Sequence, residues 1–127
     1  MFKKVHVSDQ APAPIGPYSQ AVEVGGLIFC SGQIPLDAKT GQIVSGGVAE
    51  QTKKVMTNIE AVLSAADLNF SNIVKTTIFL TSMSDFSTVN EIYANYFTSA
   101  PPARSTVEVS GLPKGVSVEI EVIAKRL

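Results

Sequence analysis

Two stretches near the end of the chain decide its fold: Pro101-Pro102-Ala103-Arg104-Ser105-Thr106-Val107-Glu108-Val109 and Val116-Ser117-Val118-Glu119-Ile120-Glu121-Val122. Residues 110–115 between them are rich in turn formers, so the pattern predicts a β-hairpin. Because side chains alternate along a strand, the valines of both stretches are predicted to share one face. The polar face then carries Arg104, Thr106, Glu108, Ser117, Glu119 and Glu121.

The register of this hairpin determines what the polar face can do. Pairing Val107 with Val118 joins apolar to apolar residues and makes Arg104 and Glu119 diagonal neighbours, roughly 7–8 Å apart. An arginine can hold a carboxylate through two parallel hydrogen bonds, and a glutamate can orient or deprotonate a water. The pattern alone favours a solvated face with a loose ion pair. A small-molecule site is the alternative.

Composition limits the possible functions. The 127 residues suffice for one domain, and the low charged fraction of 17% hints that an oligomer covers part of the surface. The net charge of −1 and the lack of basic runs argue against nucleic-acid binding. A single cysteine, Cys30, fits a reducing compartment, and no apolar stretch is long enough to span a bilayer. We therefore expect a cytoplasmic protein with no membrane partner.

The remaining chain alternates strand and helix patterns. Strands are predicted at 3–7, 21–24, 27–34 and 73–80, and the first helix at about 47–66. Ser84 or Asp85 can cap a second helix, which ends at Pro101. Two helices are too few to cover both faces of a sheet. This order predicts an α+β fold with both helices on one face, while the other face meets solvent or another subunit.

Four segments, in order along nearly the whole chain, resemble the RidA family, also called YjgF/YER057c-like proteins. The most specific is Pro102-Ala103-Arg104-Ser105-Thr106-Val107 together with Val118-Glu119-Ile120. The others are Ile15-Gly16-Pro17-Tyr18-Ser19-Gln20-Ala21, Ser31-Gly32-Gln33-Ile34-Pro35, and Asp85-Phe86 followed by Val89-Asn90-Glu91.

The resemblance implies a chorismate-mutase-like fold, with a mixed β-sheet, two helices on one face and assembly as a homotrimer with a ligand cleft at each subunit interface. It also implies an enamine/imine deaminase. Such enzymes hydrolyse the 2-imino acid forms of 2-aminoacrylate or 2-aminocrotonate to pyruvate or 2-oxobutanoate and ammonia. The resemblance implies that the deaminase needs no cofactor or metal.

The resemblance also assigns roles to two charged residues. Arg104 stands at the arginine that holds the substrate carboxylate, and Glu119 at the glutamate that positions or activates the attacking water. A nearby Arg104 would favour the ionised form of Glu119. Asn90 stands at the asparagine of the second helix, where we expect it to secure structure rather than to contact substrate.

Smaller roles follow from the same resemblance. Tyr18 matches the tyrosine whose hydroxyl lines the cleft, although a loop anchor is the alternative, and Ser31 and Gly32 match the pair that borders it. Thr106 replaces a cysteine found in many relatives, so any thiol role is removed and this position is expected to contribute to substrate binding through its main-chain groups. Asp67 replaces a glycine after the first helix, where we expect only a local capping effect.

The other chemistry-bearing residues are assigned no role. Cys30 is predicted to be a buried strand residue, because a nucleophile needs a nearby base and the only histidine is His6, near the N-terminus. His6 itself is expected to be a surface residue without a function. One cysteine and one histidine do not make a metal site.

The sequence is compatible with three other functions. A non-catalytic trimer could bind or sense 2-oxo acids through the same cleft. Some relatives are described as ribonucleases or translation inhibitors, although the acidic charge balance counts against nucleic-acid binding. A chaperone-like role is compatible with the sequence as well.

Overall fold

Six strands form one mixed sheet in the order β1-β2-β3-β6-β4-β5, and two helices pack against it. The structure is a computed structural model that describes residues 2–127. The elements are β1 (Lys4–His6), β2 (Ala21–Val24), β3 (Leu27–Gln33), α1 (Val48–Ala65), β4 (Ile73–Leu80), α2 (Phe86–Ala94), β5 (Ala103–Glu108) and β6 (Val118–Lys125). None of the helices within residues 2–127 has the length and hydropathy of a membrane span.

The helices cover one face of the sheet, as the sequence predicts. The predicted α1 differs from the observed one by a single residue at each end, and β4 has the predicted bounds. The apolar stripe of α1 and Val89 and Tyr93 of α2 enter one core with the buried residues of the sheet. The Tyr93 hydroxyl also shares a 2.8 Å hydrogen bond with Thr76 of β4. The α+β fold is therefore confirmed.

The end of α1 is closed by a residue with left-handed backbone geometry. Asp67 has a φ of 60°, its N–H donates to the Ser64 carbonyl, and the Leu68 N–H donates to the Leu63 carbonyl. This pair of hydrogen bonds is the Schellman motif, in which glycine is the usual residue at the position of Asp67. At α2, Asp85 occupies the N-cap, but neither it nor Ser84 provides the expected side-chain capping bond.

The predicted hairpin of β5 and β6 is wrong, because β4 lies between these two strands. β5 pairs in parallel with β4, with Arg104 opposite Thr76, and β6 pairs antiparallel with β4, with Glu119 opposite Phe79. Parallel neighbours need a long crossover connection, and α2 supplies it between β4 and β5. The chain after β5 then continues to the far side of β4, where β6 fills the centre of the sheet.

The predicted sharing of a face by Arg104 and Glu119 is wrong for the same reason. Arg104 lies beside the buried Thr76, on the helix face, whereas Glu119 lies beside Phe79, on the opposite face. Two strand spacings of about 4.8 Å and three residues of about 3.3 Å separate their Cα atoms by about 14 Å. Within one chain, the two groups cannot hold the same small molecule.

The face without helices, here called the open face, carries exposed apolar side chains. One row crosses four neighbouring strands, and its members Val5 and Phe29 remain 46% and 43% exposed. A second patch includes Val107, 41% exposed, beside Phe79. Rows of exposed apolar residues on a sheet mark an interaction surface more often than a solvated one. The first row consists of Val5, Val22, Phe29 and Ile123.

Candidate functional site

The first part of the candidate site, here called the arginine half-site, surrounds Arg104 at the sheet edge. Its Nη1 donates a 2.7 Å hydrogen bond to Oδ1 of Asn90. Its guanidinium carbon also lies 5.4 Å from the ring centre of Phe86 and 5.0 Å from that of Tyr93. These distances are within the range of cation–π attraction. All three partners come from α2, so the helix fixes the direction in which the guanidinium points.

A cavity of about 400 Å³ opens beside this guanidinium. Its walls include Tyr93, Phe97, Pro101 and Pro102, and Arg104 contributes the charge. Thr106 points to the same side of β5, since it lies opposite the buried Ile78, and it is half-buried. The arginine half-site therefore combines one cation with largely apolar walls.

The second part, here called the glutamate half-site, forms where β3 and β6 meet. The pairing of β3 with β6 is irregular over residues 30–33 of β3, and this irregularity brings Gly32 under the side chain of Glu119. A Cβ built on Gly32 would overlap the Glu119 carboxylate and lie 2.8 Å from its carboxyl carbon. Glycine at this position therefore provides the space that the carboxylate occupies.

Tyr18 reaches the same region on an anchored loop. The Ser31 hydroxyl donates to the Ser19 carbonyl at 2.6 Å, and the Ser31 N–H donates to the Gln20 carbonyl at 2.9 Å. Tyr18 is 53% exposed and, together with Gly32, lines a cavity of about 310 Å³. Ser31 thus holds the loop, while the phenol of Tyr18 remains accessible.

The pKa of Glu119 is raised above its ordinary value. Partial burial is the main cause, and repulsion by the Glu121 carboxylate adds to it. The sequence-based expectation that Arg104 favours the ionised form does not hold within one chain, because Arg104 lies across the sheet. The raised pKa makes Glu119 a better proton acceptor than an exposed carboxylate.

The structure brings the predicted site residues together in two groups rather than one. Arg104 and Thr106 belong to the arginine half-site, and the remaining residues to the glutamate half-site. Sequence reasoning missed the contacts of Phe86 and Tyr93 with the guanidinium. The signal was available, since positions 86, 90 and 93 have the spacing of one helix face. The glutamate half-site contains Tyr18, Ser31, Gly32 and Glu119.

Neither Cys30 nor His6 joins these half-sites. Cys30 is buried as predicted, and burial raises the pKa of its thiol to about 12, so it remains protonated. The prediction of a surface His6 is wrong. Its ring is buried and lies 2.8 Å from the Glu23 carboxylate, which Arg126 also binds through two hydrogen bonds. Residues 2–127 hold no cluster of three or more potential metal ligands among His, Cys, Asp and Glu.

The family model and the similar proteins of known sequence indicate the same family. Residues 8–126 match the family described as Endoribonuclease L-PSP. The chain is 57% identical to Protein DfrA of Myxococcus xanthus over 126 residues, covering 98% of this chain and 96% of that protein. It is 51% identical over 124 residues to the mouse protein named 2-iminobutanoate/2-iminopropanoate deaminase, covering 98% of this chain and 92% of the relative.

Solved structures agree in fold along the whole chain. A crystal structure from Thermotoga maritima superposes with a TM-score of 0.96 at 48% identity, covering 99% of each chain. A structure of E. coli TdcF with bound serine superposes with a TM-score of 0.93 at 42% identity, covering 98% of this chain and 99% of the other.

Proposed function

The chain belongs to the Endoribonuclease L-PSP family, which is the RidA family, and on that premise we propose that it is an imine deaminase. The proposed substrates are 2-iminobutanoate and 2-iminopropanoate, which water converts to 2-oxobutanoate or pyruvate and ammonia. Relatives at about 50% identity from mouse and human carry the name of this activity. We place the enzyme in the cytoplasm as part of the same proposal.

The observation that carries the proposal is the separation of the two half-sites onto opposite faces of one sheet. Each half-site has part of the chemistry that imine hydrolysis requires, and neither is sufficient alone. We propose that a homotrimer joins the arginine half-site of one subunit to the glutamate half-site of the next. The exposed apolar rows of the open face support such an assembly, because association would remove them from water.

In the joined cleft, Arg104 binds the substrate carboxylate through its free N–H donors. This contact holds the imine carbon at a defined distance from Glu119 of the adjoining subunit. An iminium carbon is already electrophilic, so the protein gains more from positioning the water than from activating the carbon. Tyr18 and Gly32 border the space in which the water and the imine nitrogen lie.

Glu119 then moves protons through the reaction. It accepts a proton as the water oxygen bonds to the imine carbon, which gives a tetrahedral carbinolamine. It returns that proton to the carbinolamine nitrogen, and the C–N bond breaks. Glu119 takes the hydroxyl proton as the C=O bond of the 2-oxo acid forms, and this proton then passes to ammonia, so that iminium and water give 2-oxo acid and ammonium. A raised pKa suits both transfers, because the same carboxyl group must accept and donate a proton.

The test is release of 2-oxobutanoate from 2-iminobutanoate generated immediately before the assay. Arg104→Ala should raise KM, because it removes the carboxylate-binding group. Glu119→Gln should lower kcat by about 100-fold or more, the usual contribution of a general base. Hydrolysis by the Glu119→Gln variant at the wild-type rate would contradict the proposed proton transfers.

A binding protein without catalysis is the second candidate. The serine in the E. coli TdcF structure favours it, since serine also carries a carboxylate beside a nitrogen-bearing carbon. Under this alternative, the wild-type protein binds 2-oxobutanoate but does not accelerate release of ammonia. The same assay therefore separates the two candidates.

A further inference from the structure

Without contacts to hold its side chain, Arg104 would have no fixed orientation for binding a carboxylate. It lies on β5, the edge strand of the sheet, and its side chain is exposed. A free arginine side chain samples many rotamers, and ordering it on ligand binding costs affinity. The structure nevertheless gives its guanidinium a single hydrogen-bonded direction, toward Asn90.

The three contacts to the guanidinium act in different ways. The ring faces of Phe86 and Tyr93 attract the cation, which limits the distance of the guanidinium from α2 but still allows the guanidinium to rotate. The 2.7 Å hydrogen bond to Asn90 Oδ1 also limits rotation in the guanidinium plane. It engages one of the five N–H donors of the arginine, so the others stay available for a carboxylate.

The chemical type of residue 90 matters as much as its position. An aspartate has the same shape and could accept the same hydrogen bond, but its negative charge would neutralise the guanidinium and compete with an anionic ligand. An amide accepts the bond without a charge. We propose that Asn90 is a positioning residue that directs Arg104 toward the substrate carboxylate while leaving its positive charge uncompensated. This inference rests on the function proposed above.

Two substitutions at position 90 distinguish this role from a merely structural one. Asn90→Ala should weaken binding of 2-oxobutanoate, measured by calorimetry on the full-length assembly, by about 10-fold, the effect of losing one hydrogen bond to a charged group. Asn90→Asp should weaken binding more than Asn90→Ala, although it preserves the hydrogen bond. A structural role predicts the reverse order, because aspartate replaces asparagine with little change in shape.

Controls separate an effect through Arg104 from other effects. Asn95→Asp adds the same charge at the exposed end of α2 and should leave binding within about 2-fold of wild type, because exposed charges are screened. In an Arg104→Ala background, Asn90→Ala should cause no further loss. A further loss there would mean that Asn90 contacts the ligand itself, and it would overturn the positioning role.

A ligand-independent measurement keeps the inference testable if the proposed function fails. The Arg104 Nε–H signal in an NMR spectrum, identified by its loss in Arg104→Lys, should report a more mobile side chain in Asn90→Ala than in wild type. A wild-type protein that does not bind 2-oxobutanoate would refute the proposed function, and this signal would still test the positioning role. Unchanged mobility in Asn90→Ala would overturn the inference.

Discussion

Subunits that each lack one of the two charged groups should restore one another's activity, because each proposed cleft takes these groups from different chains. The perturbation is co-expression of Arg104→Ala and Glu119→Gln subunits, each with its own affinity tag. Purification through both tags then yields only mixed assemblies. A subunit with intact Arg104 next to one with intact Glu119 can form a complete cleft.

The magnitude follows from the geometry. Arg104 and Glu119 lie on opposite faces and about 14 Å apart, so no cleft uses both groups of one chain. In a cyclic trimer that contains both variants, one of the three interfaces joins the two intact groups. The mixed assemblies should therefore show about one third of the wild-type kcat/KM per trimer, measured well below saturating substrate.

The assay is 2-oxobutanoate release by the mixed assemblies, with each pure variant and a double-tagged wild-type assembly as controls. Mixed assemblies no more active than the pure variants would refute the cleft between subunits. The same result is expected if both groups act within one chain, which would contradict the observed strand order. Light scattering of the same samples measures the proposed trimer directly.

Three further predictions concern the glutamate half-site and the end of α1. Gly32→Ala should lower kcat/KM by about 100-fold, because the new Cβ displaces the Glu119 carboxylate, whereas Gly111→Ala, in open space, should have no effect. Glu119 is lost as a base when the pH falls through its raised pKa. Glu121→Gln removes a repelling carboxylate, so it should lower the pKa of Glu119 and move the acidic limb of the kcat profile to lower pH. An acidic limb that does not move would contradict the repulsion assigned to Glu121. Asp67→Gly should raise the free energy of unfolding, measured with urea, by about 1 kcal/mol, because glycine adopts the left-handed conformation without strain. A decrease would show that the Asp67 side chain stabilises the fold by more than the strain of its backbone destabilises it.

The local structure could be predicted from the sequence because it depends on local signals. The β-branched run of β4 and the apolar stripe of α1 each give their element almost its observed bounds. The partner of each strand is not a local property. Alternation in β5 and β6 is equally compatible with a hairpin and with insertion of β4 between them, and only the packing of α2 as a crossover decides between these arrangements.

The site could be predicted in part, because the resemblance identifies residues but not the faces on which they lie. His6 shows a related limit: its burial depends on Glu23 and Arg126, which are remote in sequence and adjacent only after the strands pair. The contact of Asn90 with Arg104 likewise needs α2 to lie across β5. Residue type and spacing indicated these groups, and tertiary packing determined their partners.

The face on which Val107 lies differs from the predicted one, and this difference bears on the proposed assembly. Alternation correctly separates Val107 from Arg104, but the prediction that Val107 shares a face with Val118 assumes that the sheet has one apolar face. Here Val107 belongs to the open face, which carries its own apolar row, so the sheet has two. When helices cover only one side of a sheet, a second apolar face adds no hydrophobic stabilisation unless another surface covers it. The second apolar face is thus a feature that the proposed trimer would require, and such a trimer would let Arg104 and Glu119 serve one reaction from opposite faces.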